Sequence, residues 1–143
     1  MAGVSLSWTP VGTLHHVGFV VASIVDSAPG LAAVLDSDWD GEIILDPLQA
    51  ARVSFLQSKA AGNPLFELVE PSEIDSPVGK FLARGGGLHH VCYQVKNLEE
   101  QLQRSREKGA LVVRPPVPAV AFGGRRIAWV FTKTKLLIEY LEA

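Results

Sequence analysis

Two histidines and two glutamates recur in this chain at one spacing. His16 lies in Leu14-His15-His16-Val17-Gly18-Phe19-Val20-Val21, and His90 lies in Leu88-His89-His90-Val91-Cys92-Tyr93-Gln94-Val95. Each run is followed by a carboxylate-bearing one, Leu65-Phe66-Glu67-Leu68-Val69-Glu70 and Leu137-Ile138-Glu139-Tyr140-Leu141-Glu142, so that Glu67 stands 51 positions after His16 and Glu139 stands 49 after His90. Duplicated segments keep core positions most easily, whereas these are ionisable groups inside apolar runs, where burial is costly unless each group is partnered. Two neutral imidazoles and two carboxylates form a mixed nitrogen and oxygen donor set suited to a divalent first-row metal, such as Co, Ni, Zn, Mn or Fe. The competing assignment makes His16 and His90 hydrogen-bonded core histidines and pairs the glutamates with Arg52 and Arg126. Recurrence of all four groups at one period favours the metal.

Strand alternation selects which member of each histidine pair faces the site. His15, Val17, Phe19 and Val21 share one face, and His16, Gly18 and Val20 share the other. The bulky valine and aromatic face is suited to packing under a helix. The face carrying His16 in one run, and His90 with Cys92 in the other, would then be concave and partly polar, with Glu67 and Glu139 on the same cup. His15 and His89 are expected to be structural, and Glu70 and Glu142 to be solvated on the outer face. Lys80, Arg84, Arg125 and Arg126 read as surface charge. Cys92 has no evident basic partner, so no catalytic thiol is expected.

The elements that would position these groups also repeat. In module one, about 12–71, the strand at 14–21 precedes a helix from Asp26 to Leu35 with Pro29 in its first turn, then strands at 41–45, 52–57 and 65–70. Module two, about 88–143, has a strand at 88–95, a helix from Leu98 to Lys108 capped by Asn97 with Glu100, and strands near 110–114, 126–131 and 136–141. The linker, about 72–87, holds a short helix started at Ser76-Pro77 and broken by Gly85-Gly86-Gly87. Pro115, Pro116 and Pro118 with Gly123-Gly124 mark an irregular loop long enough to cover a site mouth. The expected fold is α+β: two tandem βαβββ modules facing one cup, a single domain over 1–143.

The 143 residues suffice for one core. A hydrophobic content of 48% and a net charge of -2 are those of a globular protein and not of a nucleic-acid binder. One cysteine excludes an internal disulfide. The stretch through Pro10 lacks the layout of a secretory signal and no apolar run approaches membrane-spanning length, so a cytoplasmic protein with no membrane partner is expected.

Over residues 12–142 the chain resembles the vicinal oxygen chelate (glyoxalase, bleomycin resistance and dioxygenase) superfamily, and the resemblance implies that the two modules form one cupped, barrel-like mixed sheet. Leu88-His89-His90-Val91, Glu67-Leu68-Val69-Glu70-Pro71, Leu137-Ile138-Glu139 and the Ser76–Leu82 segment are most similar to methylmalonyl-CoA epimerases and glyoxalase I-like proteins. The resemblance implies metal ligands at His16, Glu67, His90 and Glu139, the four that alternation selects. It also implies a small-molecule substrate, either an acyl-CoA thioester or a thiol hemithioacetal, and a homodimer. The implied chemistry is removal of a proton alpha to a carbonyl through a metal-stabilised enolate, with Glu139 as base and Glu67 as its partner. The alternatives are glyoxalase I-like isomerisation, which the same ligand set suits, and a non-catalytic small-molecule binding or resistance protein. Ring-cleaving dioxygenases usually present two histidines and one glutamate to iron, and here there is a fourth ligand. The chain departs from the pattern in three places. Some epimerases carry a second glutamate where this chain has Val53 or its neighbours, and no carboxylate stands between Asp46 and Glu67. The aromatic-rich first helix is replaced by Ala28-Pro29-Gly30-Leu31-Ala32-Ala33, and the glutathione-binding arginine and asparagine of typical glyoxalases are not evident.

Overall fold

The computed structural model describes residues 11–143; the stretch through Pro10 lies outside the described residues. Strand β1 (Thr13–Val20) is followed by helix α1 (Ile24–Val34) and strands β2 (Ser37–Trp39), β3 (Ile44–Asp46), β4 (Ala51–Ser58) and β5 (Leu65–Pro71). Helix α2 (Gly79–Ala83) bridges to β6 (Gly87–Val95), α3 (Leu98–Glu107), β7 (Leu111–Pro118), β8 (Arg126–Phe131) and β9 (Leu137–Glu142), with a 3-10 turn at Val120–Phe122 between β7 and β8.

All nine strands join one mixed sheet in the order β2-β4-β5-β1-β6-β9-β8-β7, and β3 shares the β4 edge with β2. The first strand of each half runs parallel to its last, β1 with β5 and β6 with β9, while the remaining neighbours are antiparallel. The halves meet where β1 pairs with β6, which places the pseudo-two-fold axis at that seam. The sheet curls until its edges approach: the Arg114 guanidinium on β7 donates to the Leu48 carbonyl after β3 at 3.0 Å. This is the expected α+β architecture of a cupped, barrel-like sheet.

One face of each half is closed by its helix, because the bulky face of the first strand supplies the apolar surface. Phe19 packs with Ile24, Ala28, Ala32, Leu56 and Leu68, and Tyr93 packs with Leu98, Leu102, Ala128 and Val130. Helix α3 starts where the sequence places it, with Asn97 Oδ1 accepting from the Glu100 amide at 3.0 Å. Helix α1 starts two residues earlier than expected, since Ser23 Oγ accepts from the Asp26 amide at 3.2 Å, so Pro29 lies inside the helix and not in its first turn. The linker helix starts at Gly79 and not at Ser76-Pro77, and Gly85, Gly86 and Gly87 all take positive φ beyond its end. The strand expected near 110–114 is β7, and it runs on through Pro115, Pro116 and Pro118, which were expected to lie in a loop. Its prolines are tolerated because β7 is an edge strand paired on one side only, with two register shifts against β8.

Candidate metal centre

The four recurring residues come together at the seam from four different strands: His16 on β1, His90 on β6, Glu67 on β5 and Glu139 on β9. Register explains how. One row across the sheet reads His16, Cys92, Glu139, Trp129, and the neighbouring row reads Phe55, Glu67, Gly18, His90. The rows are images of each other about the seam, so Gly18 and Cys92 occupy equivalent places between an imidazole and a carboxylate. Gly18 is obligatory in its row because a Cβ there would lie 2.1 Å from His90 Cε1.

The donor atoms converge on one point. His16 Nε2 lies 3.0 Å from Glu139 Oε1 and 3.4 Å from Glu67 Oε1; His90 Nε2 lies 3.2 Å from Glu67 Oε1 and 3.5 Å from Glu139 Oε1. The two Nε2 atoms are 3.2 Å apart, and all four ligand atoms lie within 4.8 Å of one another. Donors about 2.0–2.2 Å from a common ion in tetrahedral or octahedral geometry stand about 3.0–3.5 Å from each other, which is this spacing. All four residues are buried, none more than 5% exposed.

The histidine that precedes each candidate ligand takes part in the site. His15 Nδ1 lies 2.8 Å from His16 Nδ1, and His89 Nδ1 lies 2.9 Å from His90 Nδ1. The expectation that His15 and His89 face away as purely structural groups is corrected by two bulges. His15 is the extra residue between the Leu14–Tyr93 and His16–Cys92 pairs, and His89 the extra residue between Gly18–His90 and Phe19–Leu88. A bulge breaks alternation, so consecutive histidines share a side. Burial and the neighbouring ligand histidine lower the pKa of His15, and the same two causes take His89 down to about 4, which keeps both neutral. Each can therefore accept the Nδ1 proton of the next residue, leaving the His16 and His90 Nε2 lone pairs facing two carboxylates. Four acceptors facing one another need a cation between them, and buried Glu139 Oε1 accepts no hydrogen bond despite its nearness to His16.

Without a metal, protons fill that role. Burial opposes the charged form of His16 and His90, but Glu67 and Glu139 outweigh it and raise both imidazoles above their usual value. Burial likewise opposes charge on Glu67 and Glu139, and the histidines hold both below the ordinary carboxylate range. Burial, with Glu139 next, pushes the Cys92 thiol up to about 12, which removes it as a nucleophile. Phe122 stacks on His16 at 5.7 Å, and Trp129 meets the His90 ring edge-on at 4.7 Å. The segment expected to cover the site thus reaches it through the 3-10 turn that carries Phe122.

The arginines do not pair with the buried glutamates. Arg52 binds Glu70, and Arg126 binds Glu142 together with Glu99. Glu70 and Glu142 are therefore half-buried partners and not freely solvated as expected, and Glu70 also accepts from the Ile24 amide at 2.7 Å at the start of α1. A cavity of about 280 Å³ stands over the tetrad, with Glu67, His90 and Glu139 in its wall and Val53, Val69 and Ile127 among its apolar lining.

The model of the glyoxalase/bleomycin resistance protein/dioxygenase superfamily matches residues 15–129. The chain belongs to this superfamily. Within the superfamily, it is 33% identical over 132 residues to the uncharacterized protein YqjC of Bacillus subtilis, covering 90% of this chain and 91% of that one. It is 27% identical over 125 residues to the ethylmalonyl-CoA/methylmalonyl-CoA epimerase of Cereibacter sphaeroides, covering 86% and 90%. The fold matches the crystal structure of methylmalonyl-CoA epimerase from Mycobacterium tuberculosis with a TM-score of 0.79 at 23% identity, over 95% of this chain and 93% of that one.

Proposed function

We propose that this chain is a metal-dependent epimerase of α-substituted malonyl thioesters of the methylmalonyl-CoA kind. The convergence of two imidazoles and two carboxylates beneath a cavity carries the reading, and the activity of the Cereibacter relative supports the substrate class. His16, Glu67, His90 and Glu139 would hold the ion, and both halves of the chain are needed to assemble them. When bound, a divalent ion supplies Lewis-acid stabilisation for negative charge that develops on the substrate's carbonyl oxygen.

The chain's own residues do the rest. Glu139 and Glu67 sit in the cavity wall among apolar neighbours, where a carboxylate can take a proton from the α-carbon. Glu139 is the proposed base and Glu67 its pseudo-symmetric counterpart. Trp129, Phe55 and Phe122 crowd the two ligand imidazoles and fix their ring orientation.

Solvent deuterium entering C2 of methylmalonyl-CoA, read by mass spectrometry with metal-loaded and chelator-stripped protein, tests the reading. Metal-dependent uptake with loss of configuration is expected, and Glu139→Ala, which removes both the base and a proposed metal ligand, should abolish uptake. Full activity in Glu139→Ala would remove the base assignment. No wild-type uptake above background, together with turnover of a glutathione or other thiol hemithioacetal, would favour the glyoxalase I-like isomerase that the His/Glu/His/Glu set also suits.

A further inference from the structure

Inversion at a carbon needs acid/base groups on both of its faces, and the tetrad supplies carboxylates from one wall only. Glu67 and Glu139 both belong to the cluster at the β1–β6 seam, with their Oε1 atoms beside the same two Nε2 atoms. The sheet order places β3 and β7 at the two edges, farthest from that seam along the sheet. The sheet curls until those edges meet through Arg114 and Leu48, and residues of the β3 edge line the same cavity as the tetrad.

At that edge stands another carboxylate. Asp46, the last residue of β3, is 3% exposed and lines the same cavity as Glu67 and Glu139. It pairs with Ala51 on β4, while Ile44 pairs with Val53, and both Ala51 and Val53 line the cavity as well. Its Oδ1 accepts from the Leu48 amide at 3.0 Å and the Gln49 amide at 3.3 Å, which anchors the carboxyl through a single oxygen. Gln49 lines the cavity too, and its buried Nε2 has no hydrogen-bond partner among the described residues. A buried donor without a partner is costly, so its place beside Asp46 marks this wall as one that receives a polar ligand.

We propose that Asp46 is the second acid/base residue, acting on the face of the substrate's α-carbon opposite Glu139, with Gln49 Nε2 donating to a substrate oxygen on that side. The inference rests on the epimerase reading above, and it assigns to Asp46 the partner role otherwise left to Glu67. In one direction the Glu139 carboxylate takes the α-proton, the C–H electron pair passes into the thioester carbonyl, and a protonated Asp46 delivers its proton to the other face. The new C–H bond leaves Asp46 ionised and Glu139 protonated, the state needed for the reverse direction. Exchange of both carboxyls with solvent resets the enzyme, and no co-reactant is consumed.

Asp46→Asn tests the proposal, because asparagine keeps the Oδ1 acceptor for both amides and removes only the proton-transfer group. Each epimer of methylmalonyl-CoA is incubated in heavy water with metal-loaded wild type and variant, and deuterium uptake and configuration at C2 are followed separately. Wild type should exchange and epimerise. Asp46→Asn should still exchange the epimer whose proton faces Glu139, with retention, while epimerisation falls at least about 100-fold. Retained exchange at one face is also the internal proof that the variant is folded and loaded. Epimerisation within a few-fold of wild type, or equal loss of exchange from both epimers, would overturn the role of Asp46. Absence of exchange in wild type would instead overturn the epimerase reading, and the proposal with it.

Discussion

His15 and His89 act on the tetrad through the ring nitrogens behind it. By accepting at Nδ1 from His16 and His90, each fixes the tautomer and orientation of its neighbour, a task that a carboxylate or backbone carbonyl performs at many metal sites. His15→Phe keeps an aromatic ring of similar bulk and removes the acceptor. Metal affinity measured by competition with a chromophoric chelator should fall about 10–100-fold, and His89→Phe should behave alike because the halves are symmetric. Unchanged affinity in both variants would show that the ligands orient themselves without help. The doubled His-His pair was visible in the sequence, yet alternation assigned its first member to the outer face, because a one-residue bulge leaves no mark in a hydrophobic pattern. Choosing His16, Glu67, His90 and Glu139 from their spacing needed only that the chain be duplicated. Asp46 has no counterpart in the repeat, so spacing alone could not connect it to the site.

Among the elements, β1 and β6 decide whether the two rows can form. Where the second row has Cys92, the first must have no side chain, since His90 fills the space over Gly18. Gly18→Ala should fold yet lose metal binding by more than about 100-fold, because His90 or β1 has to move, whereas Cys92→Ala at the equivalent place should keep the metal. Equal metal binding by both variants in calorimetric titration would contradict the row geometry. Elements whose signal is periodic were legible: β1, β4, β5, β6, β8, β9 and the Asn97-capped α3 fall close to their expected places. Those overridden by tertiary context were not. Pro29 suggested a helix start because proline favours the first turn, but Ser23 supplies the stronger cap and the sheet packs against the whole length of α1. The prolines of β7 suggested a loop because a central strand would lose ladder bonds, and nothing local reveals that β7 lies at an edge. Strand β2 spans only three residues, too few for a pattern.

In the molecule as a whole, the proposed metal would compete with protons at the centre. In the metal-free chain, raised imidazole values contribute stability that is complete below about pH 6.5 and is lost as pH rises through them. Glu67 and Glu139, lowered from 4.5, contribute stability that is present above that value and is lost as pH falls through their lowered values. An ion must displace the imidazole protons, so its apparent affinity rises with pH. At a metal concentration of about 100 times Kd the gain is about 2.7 kcal/mol, or a rise of about 5–10 °C in Tm. That rise should grow between about pH 6 and 8, and a rise independent of pH in scanning calorimetry would contradict proton displacement. The curl of the sheet was expected from the family resemblance, but the meeting of its β3 and β7 edges was not, because it depends on how far the sheet closes and not on any one segment. The most direct test is to titrate chelator-stripped protein with Co or Zn and compare it with a His16→Ala/His90→Ala variant. One ion per chain in wild type, with two imidazole donors in its absorption-edge spectrum and no binding in the variant, is the expected result; binding that survives in the variant, or none in wild type, would contradict the metal centre.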